Sequence, residues 1–180
     1  MVTKRRIPTR NRIAELLEDH HTETLQKADH LREIIIRLRY EGKLSLGKNL
    51  TRAKETLRFF GQEMSEHMAE EEKTLFPFLE THVPKLEPLI LLLRSEHQDF
   101  RRNVACFKLL LSELERAKDD LERGRTIEKL KEIGMYLIYL LQSHLQEESE
   151  ILYRAAEQGL RADEKRELIR QLSPTSVQRR

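Results

Sequence analysis

The chain has 180 residues, a length that suits one domain. Apolar residues make up 38% and charged residues 36%, with 6 Gly, 5 Pro and no Trp, a profile of long amphipathic helices with a solvated surface. The 33 basic and 31 acidic residues leave a net charge of +2, which gives no electrostatic case for a nucleic-acid partner.

Cys106 is the single cysteine, so an internal disulfide is excluded. Among Val104, Phe107 and Leu110 it reads as a small packing residue. No apolar stretch of leader length follows the charged N-terminus, and the expected location is cytoplasmic. The longest apolar runs, residues 89–93 and 135–141, fall far short of the ~20 residues of a membrane span, so no membrane partner is expected.

In chain order, residues 1–10 read as a basic flexible tail around Pro8, carrying Lys4, Arg5, Arg6 and Arg10. From about residue 11 to 40, Ile13, Leu17, Ala28, Leu31, Ile35 and Leu38 recur at steps that telescope to three and four, predicting a first helix. Gly42 and Gly47 predict a break over residues 41–49. A second helix is expected over residues 50–80, with Leu57, Phe60, Met64, His67, Glu71 and Leu75 on one side. Pro77 should kink or finish it. Pro84 and Pro88 mark the next turn, and Pro88 suits a first helical turn. The third helix is expected over 88–121, and Arg123-Gly124-Arg125-Thr126 reads as a C-cap followed by an N-cap. The fourth helix should run over 127–158 and stop at Gly159. Asp163 can cap a short fifth helix over 163–172, before a tail at 173–180. The reading is an all-α, up-down-up-down antiparallel four-helix bundle over residues 11–158, followed by a short helix and tail over 159–180.

One phrase occurs twice. His67-Met68-Ala69-Glu70-Glu71 runs on to Leu75-Phe76, and His144-Leu145-Gln146-Glu147-Glu148 runs on to Leu152-Tyr153. A Glu four residues after a His shares its helix face, and imidazole beside carboxylate is a natural half-site for a first-row transition metal. With 7 His and 25 Glu in 180 residues, chance supplies about one such pair, so the weight lies in the extended match. Both copies have Glu at +3 and +4, Leu at +8 and an aromatic at +9. Helices one and three also correspond: Leu16-Leu17 precedes His21 as Leu92-Leu93 precedes His97. His97 follows His21 by 76 residues and His144 follows His67 by 77, so the chain reads as two helix hairpins of one design.

His20 competes with His21 for the first-helix position. Placing His21 inward puts Thr24, Ala28 and Leu31 on the same face, matching Phe100, Val104 and Phe107 after His97, whereas His20 would put Glu23, Lys27 and His30 there. His30 and His82 read as exposed. Glu70, Glu72, Glu147 and Glu150 rotate toward the flank and read as surface charges, and Tyr136, Tyr139 and Tyr153 read as core packing. Four buried imidazoles and two buried carboxylates would be costly without a compensating charge. A dinuclear centre accommodates all six. Glu71 and Glu148 can bridge two divalent ions and offset part of their charge, and a bridging hydroxide or oxide would offset more. Each metal would then take two imidazoles and one oxygen from each Glu, leaving positions for O₂, NO or peroxide. His-Glu-x-x-His, cysteine clusters, a glycine-rich phosphate loop and a nucleophile elbow do not occur, and Glu-x-x-His occurs once, at Glu18–His21.

These motifs resemble the hemerythrin-like, or HHE cation-binding, domain family. The resemblance implies a four-helix bundle around two iron ions with a bridging oxo or hydroxo group, held by His21, His67, Glu71, His97, His144 and Glu148. It implies a metal-centred small ligand, O₂, NO or peroxide. The oxygen carriers of the family add a fifth histidine four residues after the third-helix ligand. Arg101 stands there, so the set looks more like the branch associated with iron-sulfur repair and nitrosative stress, although that branch's cysteine-bearing N-terminal domain is lacking. Three functions remain open on the sequence: binding or sensing of O₂ or NO or handling of iron; a di-iron redox enzyme acting on peroxide or NO or repairing iron-sulfur clusters; and a metal-free helical interaction protein. The apolar run 135–141 could bury a fifth helix or join helix four to a second copy as a homodimer.

Overall fold

A computed structural model describes the backbone of residues 12–172 and the side chains of residues 21–41 and 45–172. Both expected tails and the side chain of His20 lie outside these residues. α1 spans Arg12–Tyr40 and α2 begins at once, covering Gly42–Phe59. The predicted break over 41–49 shrinks to the bend at Glu41. The reason is packing: Asn49 and Leu50 are buried, Leu46 packs against the core, and Asn49 Nδ2 donates to the Glu41 carboxylate at 3.1 Å. These contacts override the low helix propensity of Gly42 and Gly47.

The second rod continues through a π-turn at Phe60–Met64, α3 (Ser65–Glu70), a second π-turn at Glu71–Leu75, and α4 (Phe76–His82). Pro77 lies in the first turn of α4 and does not end the helix. The π-turn before it has already displaced the regular hydrogen-bond ladder, so the N–H that proline lacks falls at an existing irregularity. Val83 ends the rod at φ −135° and ψ 65°. A 3₁₀ turn at Pro84–Leu86 leads into α5, Glu87–Arg116, with Pro88 in its first turn as expected.

The third break lies earlier than predicted. α6 covers Asp120–Glu147, so Gly124, Arg125 and Thr126 are inside a helix. Asp119 is its N-cap and accepts from the Glu122 N–H at 2.8 Å, while the Glu122 carboxylate accepts from the Lys118 N–H at 2.9 Å. This reciprocal cap satisfies donors that a start at Thr126 would leave to water. A third π-turn, Glu148–Leu152, passes to α7 (Tyr153–Gly159), and α8 covers Ala162–Leu172. Asp163 lies within the first turn of α8, and Glu164 instead accepts from the Arg161 N–H at 2.8 Å. No strand occurs among the described residues. The four rods, joined by short links, form an antiparallel up-down-up-down bundle.

The buried apolar side chains form two clusters. One runs from Ala28, Leu57 and Phe60 through Phe107 to Leu137 and Leu145. The other gathers Leu75, Phe76, Leu79, Ile90, Leu93, Leu152 and Tyr153 with Leu168 and Leu172 of α8. The short last helix therefore completes the second cluster. It does not cover the 135–141 run, whose Leu137, Ile138, Leu140 and Leu141 are buried while Met135, Tyr136 and Tyr139 stay exposed.

Gly134 shows how closely α6 approaches its neighbours. A Cβ there would lie 2.8 Å from Phe107 Cε2 and would collide with the end of Ile35. Gly134→Val should lower stability by about 2–3 kcal/mol through overpacking, which outweighs a few tenths gained in helix propensity. Chemical denaturation measures this, and an unchanged midpoint would contradict the packing described.

Candidate metal centre

Each of the four rods brings one imidazole to the same level: His21 from α1, His67 from α3, His97 from α5 and His144 from α6. All four are buried, and Glu71 and Glu148 are wholly so. On α1, burial of Thr24, Ala28 and Leu31 establishes the register in which His21 faces inward. His30 is half-buried and His82 exposed.

The repeated phrase has a repeated backbone. Both π-turns start on the glutamate itself: the Glu71 carbonyl accepts from the Phe76 N–H, and the Glu148 carbonyl from the Tyr153 N–H. In a regular α-helix a residue five along lies about 140° around the axis. The π-turn brings it back toward the same side, so Glu71, Leu75 and Phe76 are all buried, as are Glu148, Leu152 and Tyr153.

The side chains fall into two groups able to hold a cation, each with its ligand atoms within 4.8 Å of one another: Glu71, His97, His144 and Glu148, and His21, His67 and Glu148. Glu148 belongs to both. Its Oε2 lies 3.2 Å from His21 Nε2 and its Oε1 3.0 Å from His144 Nε2. His97 Nε2 and His144 Nε2 face each other at 3.1 Å. Glu71 Oε2 is buried, receives no hydrogen bond, and lies 3.6 Å from Nε2 of both His67 and His97. The 3.6 Å separations are too long for good hydrogen bonds. They are near the spacing that ~2.1 Å bonds to a shared cation produce, so these donors could hold a cation.

An outer set of side chains orients the imidazoles. Glu72 Oε1 lies 2.8 Å from His97 Nδ1 and accepts from Arg101 Nη1 at 3.0 Å. Glu96 Oε2 lies 2.8 Å from His144 Nδ1. His21 Nδ1 meets the Ser149 hydroxyl at 3.3 Å. Phe76 stacks on His97 with ring centres 5.6 Å apart. Tyr153 touches three inner groups: its OH donates to Glu71 Oε1 at 3.2 Å, lies 3.5 Å from Glu148 Oε2, and is 3.2 Å from His21 Nε2.

Charge is divided unevenly between the carboxylates. Burial and the charge of Glu148 push Glu71 well above the usual carboxylate range. Burial would raise Glu148 as well, but His144 and His21 outweigh it and hold the group well below that range. Burial likewise disfavours the His144 cation, yet Glu148 and Glu96 bring it up to about 10. His97, buried and beside His144, is lowered to about 4 despite Glu72. Burial and the two carboxylates raise the Tyr153 phenol well above its ordinary value, so it keeps its proton. Glu148 and His144 therefore form an internal ion pair beside a neutral His97.

The structure brings all six sequence-predicted residues together. It corrects several readings. Tyr136 and Tyr139 are exposed and are not core packing, because they lie on the outer face of α6. His30 is half-buried and not exposed. Glu72 is half-buried against His97 and is not a free surface charge. Tyr153 packs as expected but also bonds the carboxylates. Glu96, Arg101 and Ser149 were not foreseen in these roles, because their contacts cross between helices and leave no mark on periodicity. Tyr153 had a signal, the aromatic shared by both copies of the phrase.

No curated protein matches the chain. The family model described as the hemerythrin HHE cation binding domain matches residues 12–112, a segment that contains His21, His67, Glu71 and His97 but ends before His144 and Glu148. The fourth rod is tied to the first three by the internal repeat and by the shared layer. The chain belongs to the hemerythrin HHE cation-binding domain family.

Proposed function

We propose that this is a cytoplasmic non-haem di-iron protein that binds or senses O₂ or NO, or handles iron, with His21, His67, Glu71, His97, His144 and Glu148 as ligands. The observation that carries the reading is the pair of donor groups sharing Glu148. His97 and His144 would hold one ion, His21 and His67 the other, and the two carboxylates would lie between them. Imidazole and carboxylate also suit zinc, manganese and cobalt; iron is chosen on family likeness. Bound iron would supply open coordination positions and one-electron redox chemistry. The protein's own groups hold the imidazoles in place, exclude water, and keep a phenol proton beside the carboxylates. Arg101 cannot ligate and is engaged with Glu72, which argues against reversible oxygen carriage.

Anaerobic loading should give two irons per chain and raise the melting temperature, because a ligand of the native state stabilises it. Glu71→Ala with Glu148→Ala should lose the pair while far-ultraviolet circular dichroism stays helical. Fewer than one iron per wild-type chain would sink the reading.

Metal uptake should also be proton-linked. At pH 7 His144, held at about 10, carries a proton that a metal must displace. Glu71 supplies a second wherever the pH lies below its raised value. Affinity should therefore rise with pH, about tenfold per pH unit for each proton released. Calorimetry in buffers of different ionisation enthalpy counts them, and uptake with no proton release would contradict the charge arrangement.

Tyr153 favours a second reading, a redox enzyme acting on peroxide or NO, since its phenol places a proton within reach of both bridging carboxylates. Tyr153→Phe should then slow peroxide or NO consumption at least tenfold with iron content intact. Wild-type consumption no faster than that of free iron would remove this reading.

A further inference from the structure

The internal repeat relates two interfaces of the bundle, α6 against α1 and the second rod against α5. They are not built alike. α6 lies close along α1, where Gly134 admits Ile35, whereas α2 meets α5 at few places. The 77-residue offset of the repeat sets Gly61 against Ile138 of α6, and Ile138 is buried. Gly61 lies in the π-turn Phe60–Met64, and the corresponding stretch of α6 is regular helix. The other two π-turns begin on an inward glutamate. This one contains none of the six inward groups.

Where the side chain is missing, a groove of about 380 Å³ opens between α2 and α5, a size that suits a small-molecule site. Leu57 and Leu111, both buried, form its floor, and Lys54, Arg58 and Lys108 stand exposed around it. Lys54 is ion-paired with Glu115. Among the described residues neither Arg58 nor Lys108 has an ion-pair partner. Lys108 leans across the gap: a Cβ built on Gly61 would meet the end of that side chain, with Nζ at 2.7 Å and Cε at 3.7 Å.

An inorganic anion would leave the leucines uncovered, and a hydrocarbon would leave the cations without a counter-charge. We infer that the groove binds a small amphipathic carboxylate, with its apolar body on Leu57 and Leu111 and its carboxylate held by Arg58 and Lys108. The guanidinium fork suits a carboxylate. The site uses none of the metal-layer residues and stands independently of the di-iron reading.

The test is a calorimetric titration of the full chain with octanoate, octanol and acetate. One octanoate should bind per chain, about tenfold or more tighter than either control, since octanol lacks the charge and acetate the body. Arg58→Gln with Lys108→Gln should weaken octanoate about fivefold or more and remove its dependence on salt. Gly61→Leu should abolish binding by filling the groove, and it adds helix propensity. Circular dichroism checks the fold of each variant; if Gly61→Leu does not fold, the charge variant and the two controls decide. No octanoate binding, octanol bound as tightly as octanoate, or affinity unchanged in the folded variants would overturn the proposal. So would a wild-type dimer that folded Gly61→Leu dissociates, because the groove would then hold a second copy.

Discussion

Six ionisable side chains occupy one level of the bundle, between two clusters of apolar side chains that would otherwise be one core. Burying such groups is costly unless each finds a partner, and the arrangement around them follows from that constraint. Glu148 is paired with His144, His97 with Glu72, His144 also with Glu96, and Glu71 with the Tyr153 hydroxyl. Within the layer Glu71 Oε2 accepts no hydrogen bond although two imidazole nitrogens stand 3.6 Å away, and Glu148 Oε1, facing His144 Nε2 at 3.0 Å, accepts none either. Unmet carboxylate oxygens turned toward imidazole nitrogens are what a cation site looks like from the protein's side.

The π-turns reconcile this layer with the packing beyond it. A glutamate must face the centre, and the aromatic five residues later must face it too, which a regular helix does not allow. Starting a π-turn on the glutamate resolves the conflict in both copies. The two aromatics then diverge. Phe76 lies against an imidazole and offers no polar atom, whereas Tyr153 directs its hydroxyl to both carboxylates and His21. The two repeated hairpins thus differ at this level by one hydroxyl.

Periodicity and repetition made the four rods and the six inward side chains legible. Each of those side chains belongs to an apolar stripe with a regular spacing, and His21 was separable from His20 by the residues that follow it on its face. The breaks were less legible where local and tertiary preferences disagreed. Gly42 and Gly47 looked like a loop until Asn49 and Leu50 found the core, and Gly124 looked like a cap while Asp119 and Glu122 supplied a better one. The π-turns and the outer carboxylates were not legible. A π-turn keeps helical composition, and Glu72 and Glu96 stand beside ligands in sequence yet act on histidines of other helices.

Arg101 bears on which member of the family this is. It lies four residues after His97, on the same face of α5, where a histidine could reach a metal. Its guanidinium instead holds Glu72, and Glu72 holds His97. A possible ligand has become a support for an existing one. The consequence runs through charge: burial would raise Glu72, but His97 and Arg101 outweigh it and hold the carboxyl below its usual range, so an ionised Glu72 fixes the His97 ring from its far nitrogen. The layer thus offers four imidazoles and two carboxylates to a cation, and α5 adds to it a guanidinium that orients His97 through Glu72 in place of a further donor.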